Sequence, residues 1–235
     1  EKDAKVQEMT GSSISLRSAV EVSKNGCAWQ VFDALSPSVG IKYIERMHYA
    51  GLCPDDYYNA VSLGGFTKGV TTVEQASAYY TLANHGEFIP PTCIVSMLDS
   101  DDEEIWIEPE PEEIYTYSAA DNMVDICRGV LTRGTASRLG WGKTSKMDAF
   151  AKTGTTNGSK DGWFCGATPY YSIAVWVGYD QPRTVSGMQG GTYPGQIWKS
   201  SMLYMIGNKD LRNFERKTSV SGDGEFIESE GYYSY

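Results

Sequence analysis

Three short apolar segments crowd into residues 148–178, and that crowding limits what this chain can build more than any other feature. Segments 148–154, 162–167 and 172–178 are separated by turn-forming residues, and the last alternates as SIAVWVG, the period-two pattern of a half-buried strand. The stretch DAFAKTGTTNGSKDGWF, 148–164, reads as two paired strands with a polar turn between them. Upstream the pattern is helical. Thr71-Thr72-Val73-Glu74 has the T-x-x-E form of a capping box, with Val73, Ala76, Tyr80 and Ala83 at helical spacing and Gly86 placed to end the helix. Further helices are expected over 16–22, 27–35, 38–50 (opened by Pro37, closed by Gly51), 118–132 (closed by Gly134) and 194–206. Helices first and strands late predict an α+β fold in which an antiparallel sheet packs against a helical layer, not a parallel βαβ series.

At 235 residues, with 41 % hydrophobic and 12 % aromatic residues, the chain has enough apolar material for a packed core. A net charge of −10 without any lysine or arginine cluster argues against a nucleic-acid partner, because phosphates need a basic face. The acidic block DSDDEEIWIEPEPEE, 99–113, reads as a solvated loop, and TCIVSML (92–98) followed by DSDD and IWI reads as a peripheral hairpin. No run approaches the ~18 apolar residues of a membrane span, and EKDAKVQEMTGSS lacks the apolar centre of a signal peptide. Any export signal or anchor would therefore lie upstream.

Cys27, Cys53, Cys93, Cys127 and Cys165 form no C-x-x-C pair, which removes support for a zinc or thioredoxin-like site. An odd count leaves at least one thiol unpaired; the others are read as buried small hydrophobes, with two disulfides as the open alternative. Only His48 and His85 are present and no H-E-x-x-H occurs, which argues against a metallohydrolase and a Ser-His-Asp enzyme. Both histidines read as helix-surface or helix-end residues. No metal or organic cofactor is implied.

The chemistry concentrates at Lys152-Thr153-Gly154-Thr155. An apolar strand leads into it, and a glycine stands where a ligand has to approach the backbone. Taken alone, Lys152 is a sheet-edge lysine and the threonines are ordinary β-branched strand residues. Ser23-Lys24-Asn25, taken alone, is a helix-ending turn. Together, K-T-G and S-x-N are two of the three motifs of the serine penicillin-recognising enzymes. The stretches SISLRSAVEVSKNGCAWQVFDAL, SLGGFTKGVTTVEQASAYYTLANHGEF, RGVLTRGTASRLG and AKTGTTNGSKDGWFCGATPYYSIAVWVGYD resemble, in that order, the transpeptidase domain of class A penicillin-binding proteins. The resemblance spans roughly residues 12–206.

That resemblance implies a fold like the serine β-lactamases and D,D-transpeptidases. It implies acyl transfer from D-Ala-D-Ala stem peptides of peptidoglycan to an amine, with β-lactams as pseudosubstrates. Ser23 corresponds to the proton-relay serine and Asn25 to the residue that binds the donor peptide's amide. Lys152 supplies positive potential, Thr153, Gly154 and Thr155 bind the terminal carboxylate, and the Thr155 N–H forms half of the oxyanion hole. Asp161 and Trp163 fall in a D-x-W-F segment with turn and core roles. Gly64-Gly65 and Gly190-Gly191 allow tight turns, the second pair near the site edge. Trp176, Trp198 and Tyr204 read as sheet-to-helix packing.

One departure matters: no S-x-x-K occurs anywhere in the sequence, so the family's nucleophile is not in it. The expectation is that residues 1–213 form a transpeptidase domain incomplete on its N-terminal side, followed by an extension over 214–235. The missing segment, a glycosyltransferase domain and a membrane anchor would lie upstream, outside the cytoplasm in a bacterial envelope. The chain alone should then be inactive. A non-catalytic module that binds stem peptides or β-lactams is the alternative from another class. A carboxypeptidase or β-lactamase is the alternative hydrolase.

Overall fold

The computed structural model describes residues 14–215. Three helices open it: α1 (Leu16–Glu21), α2 (Asn25–Leu35) and α3 (Pro37–Arg46). Helix α4 (Thr72–Ala83) follows, then strands β1 (Glu87–Phe88) and β2 (Glu112–Glu113), which pair antiparallel. Helix α5 (Tyr117–Thr132) and the short α6 (Trp141–Thr144) lead into β3 (Phe150–Thr155), β4 (Gly162–Ala167) and β5 (Ser172–Val177). Helix α7 (Tyr193–Ile206) comes last. Strands β3, β4 and β5 form a second antiparallel sheet in that order, so the α+β expectation holds.

Strand alternation sorts the sheet into two faces. Ala151 and Phe164 point at α7, where Trp198 and Met202 are fully buried, and Trp198 and Phe164 meet at 5.1 Å between ring centroids. The Trp198 indole N–H donates to the Gly166 carbonyl at 3.3 Å, so the ring enters the core without stranding its polar end. Phe150 and Ala167 point the other way, onto Val124 and Cys127 of α5 and Tyr79 and Leu82 of α4. Lys152 is the cross-strand partner of Cys165 and shares this second face.

Local rules explain where the helices start and stop. The Thr71 hydroxyl accepts the Glu74 N–H at 3.2 Å while the Glu74 carboxylate accepts the Thr71 N–H at 2.6 Å, the capping box read from sequence. Helix α3 stops at Arg46, four residues short of the expected 50, because His48 rather than Gly51 takes the left-handed conformation (φ 58°). Helix α4 closes the same way on His85 (φ 58°), one residue before the expected Gly86, whose N–H returns to the Thr81 carbonyl at 2.8 Å. Both histidines are thus helix-end residues.

The peripheral hairpin is reduced to a single bridge between Leu98 and Glu104, closed by the Asp99 N–H to Glu103 carbonyl bond. Glu112 and Glu113, read as solvated loop, instead pair with β1, and Glu112 accepts from Arg46 Nε at 2.8 Å. Tyr204 does not pack between sheet and helix; it is 87 % exposed on the outer side of α7, whereas Trp198 is fully buried. All five cysteines are free, with Cys127 and Cys165 buried. Most of the 214–235 extension lies outside the described residues.

Candidate active site

Helix α1 ends in a Schellman turn, with the Lys24 N–H reaching the Ala19 carbonyl at 2.8 Å and the Ser23 N–H reaching the Val20 carbonyl at 3.1 Å. Ser23 occupies the left-handed position of that turn (φ 56°), a place glycine fills at lower steric cost. A serine held there is backbone strain of order 1 kcal/mol, of the kind that collects at functional sites. Its hydroxyl accepts a hydrogen bond from Lys152 Nζ at 2.7 Å, joining residues 129 positions apart. The helix-ending turn and the S-x-N reading are therefore the same object. Asn25 stands exposed two residues on, at the first position of α2.

Lys152 Nζ also donates to the Thr153 carbonyl at 3.0 Å. Burial pushes the ammonium below the ordinary lysine range, and neighbouring Cys127 and Cys165 oppose that shift only in part. Burial in turn raises those two thiols to about 11 and about 12, so both stay neutral at physiological pH. Lys152 is thus flanked by two small, uncharged thiols. Its ammonium already donates to a serine hydroxyl at hydrogen-bond distance, the geometry that passing a proton on requires.

The rest of K-T-G-T lies along β3. The Thr153 and Thr135 hydroxyls share a hydrogen bond at 2.7 Å. Thr155 Oγ1 accepts the Gly190 N–H at 2.9 Å. Gly190 lies so close that a Cβ there would stand 2.6 Å from the Gly154 carbonyl and 2.5 Å from that of Trp163, so the second glycine pair does bring chain against the site edge. Trp163 is half-buried in β4, opposite Gly154 and Trp176. The concavities lined by Tyr80, Thr168 and Tyr171, and by Arg128, Trp141 and Asp148, include none of these residues. Among the described residues no cluster of metal-ligating side chains occurs.

One feature escaped sequence reasoning. Glu21, the last residue of α1, is buried, with its carboxylate gripped by both Nε (2.7 Å) and the terminal nitrogen of Arg133. Its backbone carbonyl accepts the Thr135 N–H at 3.1 Å. A Cβ on Gly129 would lie 2.2 Å from the Glu21 carboxylate and one on Gly134 2.2 Å from its carbonyl, so both glycines are needed for the fit. The spacing of glycines in RGVLTRGTAS was the only available signal.

Sheet, helical layers and lysine–serine contact together define the β-lactamase-like fold of the penicillin-recognising transpeptidases, and solved structures agree. Penicillin-binding protein 1A from Haemophilus influenzae superposes with TM-score 0.72 at 20 % identity, over 86 % of this chain and 35 % of that one. The PonA1 protein from Mycobacterium tuberculosis, solved in complex with penicillin V, gives TM-score 0.73 at 25 % identity over 87 % of this chain and 60 % of that one. The model of the penicillin binding protein transpeptidase domain matches residues 2–203, and the chain belongs to that family. Its relatives are class A penicillin-binding proteins. Penicillin-binding protein 4 of Bacillus subtilis is 30 % identical over 82 % of this chain, and penicillin-binding protein 1A of Clostridium acetobutylicum 31 % identical over 92 %. The chain spans only 31 % and 26 % of the length of these two relatives.

Proposed function

We propose that this chain forms one wall of a peptidoglycan D,D-transpeptidase site, in which Lys152 and Ser23 deliver the proton that the leaving amine needs. The 2.7 Å contact between Lys152 Nζ and Ser23 Oγ carries this reading, because nothing in the helix-ending turn or the strand requires the two to meet. In the acylation step a serine oxygen forms a bond to the penultimate D-Ala carbonyl carbon and the C–N bond to the terminal D-Ala breaks. The attacking serine gives its proton to the lysine base of its own S-x-x-K segment, and the departing nitrogen takes the Ser23 hydroxyl proton. Lys152 replaces that proton, and the base returns its proton to Lys152, so none is gained or lost. Thr153, Gly154 and Thr155 receive the terminal carboxylate, Asn25 binds the donor amide, and the Thr155 N–H stabilises the oxyanion. A β-lactam enters the same path and remains as the acyl-enzyme.

The attacking serine belongs, in this reading, to an upstream segment of the same polypeptide, together with a membrane anchor that holds the domain outside the cytoplasm. Among the described residues no helix is long and apolar enough to cross a membrane. Residues 1–213 constitute this chain's share of the transpeptidase domain and 214–235 an extension. Exposed Val31 and Leu35 on α2, which buries no residue, supply a face for the upstream segment. The absence of S-x-x-K favours one other reading, a module that binds stem peptides or β-lactams without turnover.

Fluorescent penicillin separates the two. The full-length protein is expected to give a covalent band and its Lys152→Met variant to be acylated about a hundred- to ten-thousand-fold more slowly. This chain alone should show no mass increase with excess penicillin. Reversible binding alone by the full-length protein supports the module, and a stoichiometric adduct on this chain places the nucleophile within it.

A further inference from the structure

The turn and the strand that meet at Ser23 and Lys152 are not held together by a single hydrogen bond alone. A third segment, the end of α5 and the residues after it, touches both. On one side Arg133 grips the buried Glu21 carboxylate, and the Thr135 N–H takes the Glu21 carbonyl, two residues before Ser23. On the other side the Thr135 hydroxyl bonds that of Thr153, whose carbonyl accepts from Lys152 Nζ. Thr135 therefore has its backbone on the serine turn and its side chain on the lysine strand. Gly134 permits the approach, since any side chain there would strike the Glu21 carbonyl.

We propose that Glu21 and Thr135 are positioning residues which set the separation of the Ser23 hydroxyl from the Lys152 ammonium, through a bracket formed by residues 133–135. The inference rests on the proton-delivery reading above. Neither residue touches the reacting atoms; each acts through the turn or strand it holds. Cutting the bracket lets Ser23 draw away from Lys152, admits water to the ammonium and slows proton delivery.

The test uses the full-length protein with 13C-labelled lysine side chains and the variants Thr135→Val, Thr135→Ser and Glu21→Gln. Thr135 is exposed, so the isosteric valine removes one hydrogen bond and leaves the fold in place. Thr135→Val is expected to lower the penicillin acylation rate about tenfold, with the melting temperature within a few degrees of wild type, and to move the Lys152 titration upward as the ammonium is rehydrated. Thr135→Ser, which restores the hydroxyl, should return both to wild type. Glu21→Gln should repeat the valine result; if it does not fold, Thr135→Val against Thr135→Ser decides. A wild-type rate with an unshifted Lys152 titration in Thr135→Val overturns the inference, as does a rate that falls only in step with thermal stability. A wild-type protein that takes no label refutes the proton-delivery reading instead, and the Lys152 titration then judges the bracket by itself.

Discussion

Strand β4 and helix α2 are both largely apolar, yet β4 buries five of its six residues and α2 buries none of its eleven. The strand lies between two others and two helical layers, with α7 on one face and α4 and α5 on the other. The helix packs mainly against α1, α3 and the turn at 59–63, leaving Val31 and Leu35 about half exposed. The contrast separates what this chain can stabilise by itself from what it offers to something else. Ser23 and Asn25 stand at the seam, where α1 ends and α2 begins.

The most damaging substitution should fall on the sheet side. Trp198→Ala is expected to destabilise the chain by about 3–5 kcal/mol in denaturant titration, since it removes a fully buried indole, its hydrogen bond to Gly166 and its contacts with Phe164. Val31→Ser on α2 should change the same measurement by less than about 0.5 kcal/mol. A large loss from Val31→Ser in the chain alone would erase the contrast. A larger loss in the full-length protein than in the chain alone would sharpen it by showing that α2 is covered there.

A smaller effect comes from pH. The folded chain releases the Lys152 proton below the ordinary lysine value of 10.5, whereas the unfolded chain keeps it up to that value. Between the two the unfolded state binds more protons, so stability rises with pH, by at most about 1.4 kcal/mol per unit for one proton. Lys152→Met should remove that rise. Buried Cys127, Cys165, Tyr49 and Tyr79 are pushed upward by burial and titrate in the opposing sense; the tyrosines cancel between the two proteins, and the difference curve reports the lysine together with the two thiols beside it. The smallest shift is expected at the seam: Ser23→Gly relieves left-handed strain of about 1 kcal/mol but removes the hydroxyl that accepts from the buried Lys152 ammonium, so the chain should lose about 1 kcal/mol net, while the full-length variant loses acylation. A loss of several kcal/mol would show that the turn carries too little strain to offset the lost hydrogen bond.

Much of the sheet side was legible because its signals are local. A short apolar run between turn residues placed β4, and period-two alternation placed β5, within a residue of their observed ends, and the capping box placed the start of α4. The Ser23–Lys152 meeting was legible only through family resemblance, because no local rule joins residues 129 apart. Where a side chain other than glycine accepts the left-handed turn, as His48 and His85 do, helix ends were misplaced by one to four residues. Tyr204 shows the limit of reading aromatic residues as core, for α7 has an outer side as well as an inner one. Glu21 was invisible for a related reason. A carboxylate two residues from a candidate serine is ordinary in sequence, and its partner Arg133 stands 112 positions away.

The Gly190 contact with Thr155 fixes more than a backbone path. With one lone pair of the Thr155 oxygen already taken by an amide hydrogen, that hydroxyl is biased to give its own hydrogen outward. In the proposed site that hydrogen is free to meet an oxygen of the terminal carboxylate, with the direction of the bond set before the guest arrives.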